Sequence, residues 1–288
     1  MAIKIIIVLM LLLLSFSVIK NKKRYAEFIE MYKEEITLPT FSPFAFGLID
    51  RLDMYKRMPK TINTIHQRMI ILKGSKLSTD FTKIYLAKII TIIYLMLLFT
   101  FLLTELSDSG NQNLLYGGLL IVIIAVFLIK DLDKKVKQRR DSIILELPEF
   151  VNKIILLVNA GDTVQGAIKK SVLQNRKNIQ DSPLYFELNE AVMKLDANVS
   201  FQEVMKDLNY RCSIQEVSVF TTTIMMNYRK GGAQLADSLK DLSVTLWDKR
   251  KTVTRIKGEE ASSKLIFPII LIFAAVLLIV AYPAIAIF

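Results

Sequence analysis

The chain has 288 residues, of which 52% are hydrophobic and 23% charged, and carries a formal net charge of +11. Its mean hydropathy is +0.39, a value compatible with so many charges only if apolar and charged residues are segregated along the chain. A single cysteine, Cys212, and a single histidine, His66, exclude an internal disulfide framework and any multi-Cys or His-cluster metal site.

Residues 5–19 carry no charge between Lys4 and Lys20 and predict an N-terminal membrane anchor over 1–20. A cleaved signal peptide is the alternative. No A-x-A-like site accompanies the run, and the strongest basic cluster (Lys20, Lys22, Lys23, Arg24) lies after it, so a retained anchor is favoured. Residues 21–88 predict a segment of short helices around a looped middle. Tyr25, Phe28, Ile29 and Tyr32 mark one helical face, Pro39 and Pro43 interrupt an aromatic stretch, and Ile62, Ile65, Met69 and Leu72 repeat at helical spacing until Gly74. Ser78 or Thr79 is placed to cap the next helix.

A transmembrane hairpin is expected over 89–130, from the uncharged runs 89–104 and 114–129. These runs and the first are short of the roughly 20 residues needed to cross a bilayer. Snorkelling lysines or local thinning would make up the difference. The third span is expected to continue as a charged helix to Glu146, with a new helix opening at Leu147–Pro148, since proline suits a first helical turn. Val151, Ile154, Ile155 and Val158 form its apolar stripe, and Gly161 ends it. Further helices are expected from Asp162 or Thr163 and from Pro183. Two S-x-x-E capping boxes, Ser200 with Glu203 and Ser213 with Glu216, announce two more. Gly231 and Gly232 end the second of these. A last helix carries Leu235, Leu239, Leu242, Leu246, Val253 and Ile256 inward, and runs through Gly258 to the span 265–288 with Pro268 and Pro283 near its ends. No segment alternates with period two. The fold class is therefore all-α: a polytopic membrane protein with about four transmembrane helices and a cytoplasmic bundle of about six helices over 131–264.

Charge sets the expected orientation. All lysines and arginines except Lys4 fall in 20–88 or 130–264, while the loop 105–113 holds Glu105 and Asp108 and no base. The positive-inside rule then puts 20–88 and 130–264 in the cytoplasm and both termini outside. The positive charge reads as topology first, with acidic lipid headgroups as neighbours and no direct nucleic-acid partner.

Residues 147–171, LPEFVNKIILLVNAGDTVQGAIKKS, resemble the first helical hairpin of the type II secretion system F domain. Leu147, Pro148 and Glu149 match its Leu-Pro-acid start, Ala160 and Gly161 its Ala-Gly turn, and Ala167 its second helix. The stretch from Gly231 and Gly232 through Leu239 and Arg250 to Pro268 and Pro283 resembles the second half of that domain and its closing span. Two spans before the domain and one after it resemble the TadB/TadC-like platform proteins of tight-adherence pilus systems. Together the likeness covers roughly residues 85–288. It implies an inner-membrane platform of a pilus or secretion machine, without enzyme activity or cofactor, whose cytoplasmic domain meets a hexameric ATPase and whose spans guide pilin subunits. Classical members carry two copies of the domain and this chain one clear copy. A second platform subunit or a homo-oligomer is therefore implied.

Candidate partner contacts are Lys134, Lys135, Lys137, Arg139 and Arg140 below the membrane, with lipid binding as the plainer reading, and Trp247 with Arg250, where packing within the bundle is the plainer one. Glu146, Glu149, Glu259 and Glu260 are candidate counter-charges. Gly231–Gly232 lacks the rest of a phosphate-binding loop. A structural role is favoured for His66 and for Cys212 over general-base or thiolate chemistry. A small transporter or channel subunit is the competing function. It is disfavoured because none of the four apolar runs contains a charged residue.

Overall fold

The structure, a computed structural model, describes residues 2–74, 77–106, 111–175, 179, 181–228 and 232–286. Among these residues the regular elements are all α-helices: α1 (Ala2–Lys22), α2 (Ala26–Met31), α3 (Ser42–Arg51), α4 (Met54–Arg57), α5 (Pro59–Lys73), α6 (Ser78–Leu106), α7 (Asn111–Asn159), α8 (Val164–Gln174), α9 (Pro183–Asp196), α10 (Phe201–Cys212), α11 (Gln215–Asn227) and α12 (Gly232–Ala286). Four of them, α1, α6, α7 and α12, are long and apolar enough to cross a bilayer. The protein is an all-α polytopic membrane protein. It folds as two compact units, residues 1–138 and 139–288, and α7 belongs to both.

In the first unit α3 and α5 pack on α6, and α3 also packs on α1. Phe46 is fully buried, with Tyr25 and Phe28 each 5.4 Å away ring to ring, the latter edge-on. Around it gather Ile49, Ile62, Ile65, Met69, Ile84 and Leu132. The expected looped middle lies over residues 32–41, between α2 and α3. Pro43 sits in the first turn, where its missing N–H costs nothing, and Phe44, Ala45, Phe46 and Ile49 point inward. His66 Nδ1 lies 3.1 Å from the Thr82 hydroxyl, so the histidine meets α6.

Polar groups within the apolar spans are satisfied locally, as a hydrocarbon surround requires. Thr91, Thr100 and Thr104 each donate to the carbonyl four residues back at 2.8 Å. The Tyr94 hydroxyl donates to the Met10 carbonyl at 2.7 Å and ties α6 to α1. Gly117 of α7 allows close approach to α6, since a Cβ there would fall 2.0 Å from Thr100 Cγ2.

The second unit encloses one apolar core, with Phe150 at 0% exposure beside Phe220 at 5.7 Å and Tyr185 at 6.3 Å. Helices α8 to α12 pack in sequence order, each on the next. Three caps fall where hydroxyls stand: Thr163 accepts from the Gly166 amide, Ser182 from Tyr185 and Ser200 from Glu203.

Four sequence expectations need correction here. α7 does not restart at Pro148 but runs through it. An interior proline costs about 3 kcal/mol, and the continuous buried stripe on both sides of it (Ile143, Ile144, Leu147, Phe150, Val151, Ile154) holds the helix together. The second capping box does not form. Ser213 is the C-cap of α10, with φ 53°, and the N-cap of α11 is Ile214. Gly232 opens α12 instead of ending α11, and Gly231 lies outside the described residues. Ile256 is 39% exposed, beyond the end of the core; Leu235, Leu239, Leu242 and Leu246 are buried as expected.

Gly161 closes α7 at φ +96°, a region that L side chains rarely adopt. Gly258 lies inside α12, and a Cβ added there would meet nothing within 4 Å. The same substitution should therefore act with opposite sign at the two sites. Gly161→Ala is expected to lower the unfolding free energy by about 1–2 kcal/mol, and Gly258→Ala to raise it by about 0.5–1 kcal/mol. Urea unfolding of the full chain in detergent measures both.

Candidate functional site

The buried face of α9 is set by Leu184, Leu188, Ala191, Val192 and Leu195. Glu187 falls on that same face and is 4% exposed. A carboxylate there requires cations, and two arrive from neighbouring helices. Arg139 of α7 donates to Glu187 Oε1 at 2.5 Å. Arg211 of α10 places Nε 3.3 Å from Glu187 Oε2 and donates through Nη2 to the Glu187 carbonyl at 3.0 Å. Arg211 also lies 3.0 Å from Asp207 and 3.7 Å from Glu190, and Lys194 pairs with Asp207 at 2.6 Å. Three cations thus face three carboxylates. Within this cluster Arg139 Nη1, Arg211 Nε and Glu187 Oε2 lack an aligned hydrogen bond, so charge more than directional bonding holds that part.

Cys212 adjoins the cluster and is 1% exposed. Burial, reinforced by Glu187, pushes its thiol up to about 12 despite Arg139 and Arg211 nearby. A thiol so placed is no nucleophile at neutral pH. Among the described residues no three His, Cys, Asp or Glu side chains converge as a metal set.

The basic residues of α7 divide by helical phase. Lys134, Lys137 and Arg140 follow at three-residue spacing along one side of the helix, and all three are exposed. Lys135 and Arg139 lie on the other side. Lys135 pairs with Asp131 at 3.2 Å, and Arg139 is drawn into the buried cluster, its side chain only 12% exposed. On α12, Trp247 is half-buried, with the Arg250 guanidinium 4.8 Å from its ring centroid. Lys249 approaches the buried Glu216 at 3.8 Å.

An open acidic cleft of about 300 Å³ is lined by Glu146, Glu149, Asn175, Asp181, Ser182 and Tyr185. The Ser182 hydroxyl donates to Glu146, and Glu149 pairs with Lys153 at 3.4 Å. Glu259 pairs with Arg255 at 3.5 Å. From Leu246 to Leu265, α12 is a charged helix, exposed along most of its length and roughly 29 Å long at 1.5 Å per residue.

Of the motif positions, Leu147, Pro148 and Ala167 are buried, Glu149 and Ala160 are exposed, and Gly161 makes the turn. Pro268 and Pro283 lie within α12. Residues 150–283 match the family described as type II secretion system (T2SS), protein F. This stretch is similar to the type II secretion F domain. The match begins just after Leu147, Pro148 and Glu149, and α1 to α6 precede it altogether. No curated protein and no solved structure matches the chain.

Glu187 and Arg211 of the F domain are not legible from sequence as a pair. Glu187 stands three residues after Leu184 and four before Ala191, and a charge at a core position of an apolar stripe is the signal that could have found it.

Truncating one partner of a buried pair leaves the others uncompensated. Glu187→Ala is expected to cost about 3–5 kcal/mol, whereas Lys153→Ala, which breaks the more exposed pair with Glu149, should cost less than about 1 kcal/mol. Thermal unfolding of the full chain in detergent compares the two. Cys212 should also stay unlabelled by maleimide in the native protein and react once the chain is denatured.

Proposed function

We propose that the chain is an inner-membrane platform subunit of a Tad-like or type IV pilus assembly or type II secretion machine, with its F domain in the cytoplasm and both termini outside. The F-domain match carries this reading, since the family supplies inner-membrane platforms of secretion or pilus machinery. Helices α7 and α12 add to it. Each runs unbroken from an apolar stretch into the F domain, so a displacement of the domain has a helical path to a span. The partners proposed are a secretion-type ATPase, a second F-domain subunit or another copy of the chain, pilin subunits and acidic lipids.

The orientation rests on the basic residues of 20–88 and 130–264. Lys4 lies 3.4 Å from Glu105, which supports placing the N-terminus on the same side as the α6–α7 connection. A chain with neither metal nor nucleotide motif draws its energy from its partner. A transporter remains the weaker reading, because the apolar runs hold no charged residue of the kind such sites use.

The exposed side of α7 is the proposed ATPase contact. Lys134→Glu combined with Arg140→Glu is expected to weaken binding of the full chain in nanodiscs to its ATPase by about tenfold or more, close to 1.4 kcal/mol. Binding of the unaltered chain should fall as salt rises. Surface plasmon resonance at two ionic strengths measures this, and equal affinity for variant and parent would contradict the assigned contact.

A further inference from the structure

Residues 36–49, ITLPTFSPFAFGLI, form a run without charge between Glu35 and Asp50. At that length a helix cannot cross a bilayer. Runs of about 10–14 apolar residues are buried core helices or re-entrant and interfacial segments. The packing of α3 separates these possibilities. Its C-terminal end lies at the level of charged residues, where Asp50 pairs with Lys83 at 2.9 Å. Its N-terminal end lies against a membrane span. The Phe44 ring is 4.5 Å from that of Tyr94, and Tyr94 stands six residues past Lys88 in α6, roughly 9 Å further along the helix. Tyr94 in turn bonds the Met10 carbonyl, midway along the uncharged run of α1.

The turn before α3 lies nearer the charged end of α6, at the level of Lys88 and Thr91. Ile36, Thr37, Leu38 and Ser42 line a small cavity together with Lys88 and Thr91. The turn gathers on one acceptor: Phe41 and Ser42 amides donate to the Leu38 carbonyl at 3.2 and 3.1 Å, and the Ser42 hydroxyl donates to it at 2.7 Å. Thr37, Pro39 and Thr40 are exposed at this tip, and none is charged. A tip without charge meets no ion-desolvation cost at the boundary between headgroups and acyl chains.

We propose that residues 36–49 form a re-entrant hairpin that enters the bilayer from the side bearing the basic residues, its tip at the boundary between headgroups and acyl chains. The depth follows from the Phe44–Tyr94 contact and agrees with the 5–10 Å typical of interfacial insertion. The partner is lipid. The hairpin displaces one leaflet beside α1 and α6, whose uncharged runs, at roughly 22 and roughly 24 Å by helical rise, are shorter than the roughly 30 Å hydrocarbon core. The bilayer is thinned where those spans stand, which lowers the barrier for an apolar segment passing there.

The test uses the full chain with Cys212→Ala, in vesicles of phosphatidylethanolamine and phosphatidylglycerol, spin-labelled at Thr40→Cys. Reference labels are Val8→Cys, exposed on the apolar face of α1, and Asn63→Cys, exposed on α5. Collision with oxygen relative to a water-soluble nickel chelate reads depth. A ratio at position 40 nearer that of Val8, several-fold above that of Asn63, is expected. A ratio nearer that of Asn63 overturns the insertion. Thr37→Cys, also exposed, serves as the second position should the first variant fail to fold. The readout involves no ATPase, so its failure leaves the platform role standing and the reverse also holds.

Discussion

Exclusion of charge from hydrocarbon is the constraint from which this structure follows. A lysine, arginine or aspartate at the centre of a membrane helix costs about 2.5–3.5 kcal/mol on insertion scales, so a chain carrying 38 basic residues crosses only where it has none. Four runs meet that condition, and α1, α6, α7 and α12 are built on them. What polarity remains inside them is neutralised at once. Threonine hydroxyls of α6 turn back on its own carbonyls, and Tyr94 reaches across to α1. Where the runs end, ion pairs resume: Lys4 with Glu105 at one end of the spans, Lys83 with Asp50 at the other.

Within the F domain the opposite situation arises at one point. Glu187 brings a charge into the apolar face of α9, and α7 and α10 answer with Arg139 and Arg211. Such a cluster contributes little net stability compared with apolar residues of similar shape. Its effect is positional: three helices share one carboxylate, and α7 is fixed close to where it leaves the domain for its span. The remaining basic residues of that helix segment, Lys134, Lys137 and Arg140, lie on the exposed side, while the aromatic core around Phe150 holds the rest of the bundle.

Much of this was legible in the residues because it depends on local period and length. The stripe Val151, Ile154, Val158 and the αL turn at Gly161 needed only helical spacing and a glycine. The caps at Thr163 and Ser200 needed only a hydroxyl before an apolar run. Features decided by distant partners were not legible. Pro148 looked like a helix start, yet packing on both sides carries α7 through it. Ser213 looked like an N-cap, but the tight passage from α10 to α11 takes it into the left-handed region. Pro43 looked like a breaker, and partners remote in sequence, among them Tyr25, Phe28, Ile65, Ile84 and Tyr94, make α3 a buried helix. The division of the α7 cations between two sides was present in their spacing, but which side faced the bundle depended on Glu187.

Cysteine labelling in intact cells is the most direct test of a topology set by charge. With Cys212→Ala as background, Gln112→Cys lies at the α6–α7 connection and Gln202→Cys on the exposed surface of the F domain. A membrane-impermeant maleimide is expected to label position 112 from outside and position 202 only after permeabilisation. Labelling of position 202 in intact cells, with position 112 protected, would contradict the orientation and the cytoplasmic motor contact built on it.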